Sequence, residues 1–296
     1  MKRFKGIFTV MLNSYDPVGA VDRPAMEELT SFLIDSGVHG LVVLGSNGEC
    51  PYLTRELQMD AIDTVLSAAD GRVPVVVGIN ERGTEPAMEL ARYAEEAGAD
   101  GLLVALPVFY QLQEDQVYRH YEQVCACTRL PVLYYNYPSA TGLTMAPQSI
   151  ARLAGIDNLV GAKETIFDIE EVRALVEATD RDFCAFTGMC FNLVAAMEAG
   201  ACGAICPLPN VAPRKTVELY DAIVAGEAEA ASRLQGEVIA LAPLMASSPT
   251  PHAMMKEALR LLGHPFSAIV KGPLPELTQQ QADLARDTLK NAGMLQ

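Results

Sequence analysis

Asn158-Leu-Val-Gly-Ala-Lys-Glu-Thr165 sets an apolar run, Leu159 to Ala162, directly against a lysine. Such a run reads as a buried strand that delivers an amine, Lys163, at its end. A second run, Pro131-Val-Leu-Tyr-Tyr-Asn136, does the same with a tyrosine, Tyr135. Neighbouring strands lie about 4.8 Å apart, so two such strands side by side bring a phenol and an amine to one substrate atom.

Outward from this pair the same grammar repeats. Strand candidates fall at Gly6 to Val10, Gly40 to Leu44, Val73 to Ile79, Gly101 to Ala105, Pro131 to Asn136, Leu159 to Lys163, Phe183 to Thr187 and Gly203 to Cys206. Helical stretches with apolar residues at i, i+3 and i+4 fall between and after them: Met26 to Ser36, Arg55 to Ala69, Glu85 to Ala97, Asp115 to Cys127, Pro147 to Ala154, Ile169 to Ala178, Phe191 to Ala199 and Arg214 to Ala225. Continuous apolar strands alternating with helices mean a parallel sheet with both faces covered, and eight such units close into an α/β (β/α)8 TIM barrel. Ser36-Gly-Val-His-Gly40, Ala97-Gly-Ala-Asp-Gly101 and Ala199-Gly-Ala-Cys-Gly203 form a weak repeat where a helix stops and a strand begins. The first glycine of each suits the left-handed position that ends a helix. Three further helical segments, Glu227 to Met245, Pro251 to Leu262 and Thr278 to Asn291, follow without a strand. The expected organisation is a barrel over residues 1–226 and a C-terminal helical extension over 227–296.

Composition narrows the partners. Half of the 296 residues are hydrophobic, enough for a large core, and the net charge is −15. Nucleic acid and anionic membranes require a basic face, so neither is an expected partner; a small molecule is. No apolar run reaches the roughly 18 residues of a membrane span, and the basic start Met-Lys-Arg-Phe-Lys lacks the apolar core of a secretion signal, so a cytoplasmic protein is expected. The seven cysteines are odd in number, and neither close pair, Cys125 with Cys127 or Cys202 with Cys206, has CxxC spacing. They read as reduced thiols acting as small hydrophobes. His39, His120, His252 and His264 are scattered and there is no HExxH or Gly-rich phosphate loop, so neither a metal nor a bound cofactor is expected.

Barrel active sites lie at the C-terminal ends of the strands. Three stretches stand out there: Gly45-Ser-Asn-Gly-Glu49, Tyr135 and Lys163. A lysine attacks a carbonyl only as the neutral amine, and an apolar strand end favours that form by desolvation. The protonated imine that results is an electron sink for making or breaking a neighbouring carbon–carbon bond. A tyrosine within reach can shuttle the proton. The turn amides of Gly45 to Gly48 and the Ser46 hydroxyl suit a carboxylate. Each piece alone has a plainer reading: a lysine paired with Glu164, a core tyrosine, a simple turn. Their joint placement favours imine chemistry.

These residues carry a resemblance. The chain resembles, over nearly all its length, the family of dihydrodipicolinate synthase and N-acetylneuraminate lyase, the pyruvate-dependent class I aldolases. The family motif Gly-(Thr/Ser)-Thr-Gly-Glu is matched by Gly45-Ser46-Asn47-Gly48-Glu49, Tyr-Asn-x-Pro by Tyr135-Asn136-Tyr137-Pro138, and Gly-x-Lys-(Asp/Glu) by Gly161-Ala162-Lys163-Glu164. The resemblance implies that Lys163 is the Schiff-base lysine and Tyr135 the proton-transferring residue. It implies also that Ser46, Asn47 and Gly48 hold the pyruvate carboxylate and that Ile205 lies beside the pyruvyl group. An eight-stranded barrel, commonly in tetramers, is the implied fold and assembly.

Departures from the family pattern bear on the substrate. Dihydrodipicolinate synthases carry an arginine shortly after Tyr-Asn-x-Pro for the second substrate's carboxylate, where this chain has Ala140. They also use a tyrosine two positions after a proline at the fourth strand's end; here that position is Phe109, with Tyr110 beside it. Ala140, Thr141 and Gly142 instead resemble the branch that acts on 2-keto-3-deoxy sugar acids and leave room for a hydroxylated chain. The expected activity is a lyase that releases pyruvate from such an acid. Dihydrodipicolinate synthesis, dehydration of a keto-deoxy acid through the same imine, and a non-catalytic keto-acid-binding barrel are the alternatives.

Overall fold

The structure, a computed structural model, describes residues 4–166, 168–180, 182–248 and 250–295. Strands β1 (Gly6–Val10), β2 (Gly40–Val43), β3 (Val75–Ile79), β4 (Gly101–Ala105), β5 (Val132–Asn136), β6 (Leu159–Glu164), β7 (Cys184–Thr187) and β8 (Gly203–Cys206) pair in chain order. All neighbours are parallel, and β8 returns to β1 to close the barrel. The expected (β/α)8 fold is therefore the observed one.

Helices α1 (Arg23–Asp35), α2 (Arg55–Ala69), α3 (Thr84–Glu96), α4 (Glu114–Ala126), α5 (Pro138–Thr141), α6 (Pro147–Leu153), α7 (Ile169–Ala178), α8 (Leu193–Glu198) and α9 (Pro213–Val224) follow the strands in turn. The first begins earlier than its apolar period suggests, because Asp22 caps it by accepting from the Ala25 N–H and Pro24 sits in its first turn. Beyond α9 come α10 (Ala228–Ile239), α11 (Pro243–Ala246), α12 (His252–Leu261) and α13 (Gln279–Asn291). Sequence periodicity reads Glu227 to Met245 as one helix, but α10 stops at Ile239 and α11 restarts at Pro243. Proline has no N–H for the helical ladder and clashes with the preceding turn, so it opens a helix and cannot continue one. The described residues contain no helix long and apolar enough to cross a membrane.

Alternation along each strand sorts side chains into two populations. Ile7, Leu41, Val43, Val75 and Tyr134 point outward and pack beneath the helices. Phe8, Val10, Val42, Val76, Leu133, Tyr135, Phe186 and Ile205 point inward. Deep in the barrel, Phe4, Phe8 and Phe186 stack edge to face at 5.6 and 5.8 Å. Gly40 makes room for them: a Cβ there would lie 2.2 Å from the Phe8 ring. These rings plug the lower barrel, each contributing about 1.5–3 kcal/mol by burial. Barrel active sites lie at the opposite end, where the strands terminate.

Candidate active site at the strand ends

The β5–β6 register sets Tyr135 directly opposite Lys163 and Asn136 opposite Glu164. Both members of the first pair point into the barrel, and the Lys163 Nζ lies 4.1 Å from the centre of the Tyr135 ring. Lys163 is 2% exposed. Burial lowers its pKa to about 7, a neighbouring Cys50 opposing only in part. Its sequence neighbour Glu164 faces the other way, as strand alternation requires, and accepts a 2.7 Å hydrogen bond from the Asn136 amide. Burial pushes the Glu164 carboxyl up to about 8. The plainer reading of Lys163 as paired with Glu164 thus fails on the pleat of the strand.

A pKa near 7 predicts the pH profile of imine formation. Trapping of pyruvate by borohydride should rise about tenfold per pH unit up to pH 7 and flatten above about pH 8, following the neutral amine. An ordinary lysine would keep rising to about pH 10.4. A profile of that second kind would show that Lys163 is not desolvated.

Tyr135 is equally buried, and its phenol is pushed up to about 12, the Ser46 and Thr165 hydroxyls lowering it in part. Its Oη lies 3.2 Å from the Ser46 Oγ. Tyr137 stacks on it at 5.5 Å. The phenol is therefore neutral at rest, held between the lysine and the serine.

Ser46 to Gly48 form one tight helical turn after β2. The first amides of such a turn have no partner within it, which leaves the Ser46 and Asn47 N–H groups for a ligand. Gly48 contributes its carbonyl, which accepts a 2.7 Å bond from the Asn13 amide. On the turn's outer side the His252 Nε2 lies 3.1 Å from the Ser46 carbonyl oxygen. The Glu49 carboxylate accepts from the Lys271 backbone N–H at 2.6 Å and forms a fully buried ion pair with Lys256. In the sequence Glu49 is one letter of a motif, His252 one of four scattered histidines, and no motif there singles out Lys256 or Lys271. The available signal was the i, i+4 placement of His252 and Lys256 beside Met255 and Leu259, polar groups on an otherwise apolar helical face.

Ile205 is fully buried in the barrel interior with Tyr135. Phe109 and Tyr110 stand out on the β4–α4 connection, 90% and 77% exposed, and meet edge to face. Ala140 is exposed on α5, while the Thr141 hydroxyl turns to the Tyr137 and Leu143 carbonyls. The expectation of seven reduced thiols fails at one pair: Cys190, after β7, and Cys206, ending β8, form a disulfide with Cα atoms 6.5 Å apart. The two are sixteen residues apart in sequence, and the closing of the barrel joins them. Among the described residues no group of three His, Cys, Asp or Glu is placed to hold a metal ion.

The chain matches the dihydrodipicolinate synthetase family over residues 3–292. It is 32% identical over 294 residues to the 4-hydroxy-tetrahydrodipicolinate synthase of Syntrophus aciditrophicus (strain SB), covering 99% of each chain. It is 30% identical over 299 residues to the probable 2-dehydro-3-deoxy-D-pentonate aldolase YjhH of Escherichia coli (strain K12), covering 100% of this chain and 99% of the relative. In structure it is similar to the Escherichia coli K12 prophage protein YagE in complex with pyruvate, with a TM-score of 0.95 and 28% identity over 98% and 99% of the two chains. A closed barrel with a desolvated lysine opposite a tyrosine, together with these matches, makes the chain a member of the dihydrodipicolinate synthetase family and a carbon–carbon lyase of the pyruvate-dependent class I aldolase type.

Proposed function

We propose that the protein reversibly cleaves a 2-keto-3-deoxy sugar acid, or a closely related 2-oxo acid, to pyruvate and an aldehyde. The observation that carries this reading is the buried Lys163 amine beside the Tyr135 phenol. Neutral Lys163 adds to the C2 carbonyl, and the Tyr135 phenol protonates the departing hydroxyl, giving the iminium, water and a phenolate stabilised by the adjacent cation. That phenolate takes the C4 hydroxyl proton as the C3–C4 pair of electrons flows into the iminium, releasing the aldehyde and leaving an enamine. The restored phenol protonates C3. Water then adds to the iminium, giving its proton to the phenolate, and pyruvate leaves with Lys163 neutral again. Ser46 and Asn47 hold the substrate carboxylate throughout, while Gly48, its N–H bonded to the Gly45 carbonyl and its carbonyl to Asn13, shapes their turn rather than donating to the carboxylate as the resemblance implied; Ile205 packs beside the pyruvyl carbons.

Two features support a hydroxylated rather than an anionic second half. Ala140 supplies no cation for a second carboxylate. The buried Asn192 Nδ2, just beyond β7, has no hydrogen-bond partner, while its Oδ1 lies 3.1 Å from the Thr187 hydroxyl that donates to it. An unused buried donor favours a ligand hydroxyl, since leaving it unmade is costly. Dihydrodipicolinate synthesis is the second reading, favoured by the synthase named among the relatives. Phe109, Tyr110 and Thr141 then matter as neighbours of the mouth, the first two presented for a partner subunit in an oligomer.

Catalytic efficiency with aspartate semialdehyde against 2-keto-3-deoxygluconate separates the readings. A charge-assisted hydrogen bond contributes about 1.5–3 kcal/mol, so the missing cation predicts condensation about ten- to a hundredfold weaker than in an arginine-bearing enzyme. Ala140→Arg should recover part of it. Efficient condensation by the wild type, unmoved by the added arginine, favours the synthase.

A further inference from the structure

We propose that the C-terminal helices complete the pyruvate site: His252, Lys256 and Glu49 are positioning residues that hold the Ser46–Gly48 turn in the shape that grips a carboxylate. This rests on the function proposed above. The turn ends on Glu49, whose φ of 59° is the left-handed region that side-chain-bearing residues disfavour. Such a conformation persists only where surrounding contacts fix it.

Those contacts come from the far end of the chain. Lys256 on α12 is fully buried and its Nζ, besides meeting Glu49, donates to the Ile269 carbonyl at 2.6 Å and sits 4.5 Å over the Tyr15 ring. The Lys271 N–H fixes the second Glu49 oxygen. Glu49 in turn donates its own N–H to the Ser46 carbonyl at 3.1 Å, the same oxygen that lies 3.1 Å from the His252 Nε2. Two donors therefore converge on the carbonyl of the residue whose hydroxyl meets Tyr135. Burial disfavours the imidazolium of His252, consistent with a neutral ring that donates through Nε2. A tie to Ser46 acts on how the substrate is held, before any bond breaks. Its loss should appear in affinity rather than in the chemical step.

The test uses the full-length protein, pyruvate and borohydride, and follows labelling of Lys163 against pyruvate concentration. His252→Leu should raise the half-saturating pyruvate about tenfold, as expected for one lost hydrogen bond to a buried acceptor, with the saturating rate within about twofold of wild type. His252→Gln, which can place an N–H near the Nε2 position, should restore most of the affinity. The paired Glu49→Gln with Lys256→Met removes both charges together, strands neither, and should give the same rise even if His252→Leu does not fold. Unchanged half-saturation in these variants, or a fall in the saturating rate alone, overturns the proposal. A wild-type protein that pyruvate does not label at Lys163 instead overturns the aldolase reading beneath it.

Discussion

Lys163→Met should abolish turnover and pyruvate labelling while leaving the barrel more stable at neutral pH. Removing a covalent nucleophile typically costs about 10⁶-fold in turnover, and no other lysine stands opposite Tyr135 to replace this one. The stability effect follows from the same burial that makes the amine reactive. Unfolded, the lysine binds its proton up to pH 10.5; folded, it releases it near pH 7. Between those values the unfolded chain holds more protons, so wild-type stability rises with pH across that window. Methionine, of similar length and without charge, escapes this penalty. The gain over wild type should be largest below pH 7 and vanish toward pH 10.5, as read from denaturant midpoints. A variant still labelled by pyruvate and borohydride would remove Lys163 from the chemistry, and one less stable than wild type at pH 7 would show that the amine is well solvated.

Tyr135→Phe should keep pyruvate binding and lose turnover by about 10²- to 10⁴-fold, the usual contribution of a positioned proton shuttle. Phenylalanine preserves the ring stacked on Tyr137 and removes only the hydroxyl that meets Ser46. The labelled fraction of Lys163 at equilibrium should stay near that of wild type although it is reached more slowly. Near-wild-type turnover would reduce Tyr135 to packing.

The parts of this site that sequence exposes are those written in one strand. Lys163 and Tyr135 end continuous apolar runs, so their positions at the barrel rim follow from the strands alone, and the observed register sets them opposite each other. Gly45 to Glu49 is legible because glycines bracket a turn directly after β2. What sequence hides is the outer brace of that turn. His252 bonds a carbonyl 206 residues away, and no local periodicity carries that information. The Cys190–Cys206 bridge is hidden for the same reason, its ends meeting only where β7 and β8 close the barrel. The break before Pro243, by contrast, was written in a single letter and was masked by apolar spacing that runs through it.

The aromatic plug of Phe4, Phe8 and Phe186 fills the barrel on one side of Lys163, and barrel sites are reached from the strand ends. In the proposed cleavage the pyruvyl half stays covalently bound at Lys163 while the aldehyde half lies between it and the mouth. Products must then depart in a fixed sequence, aldehyde first and pyruvate last. Run backwards, pyruvate must load before the aldehyde finds a partner. Pyruvate would thus compete with the keto acid for the free enzyme, whereas the aldehyde would meet only the pyruvate-loaded form.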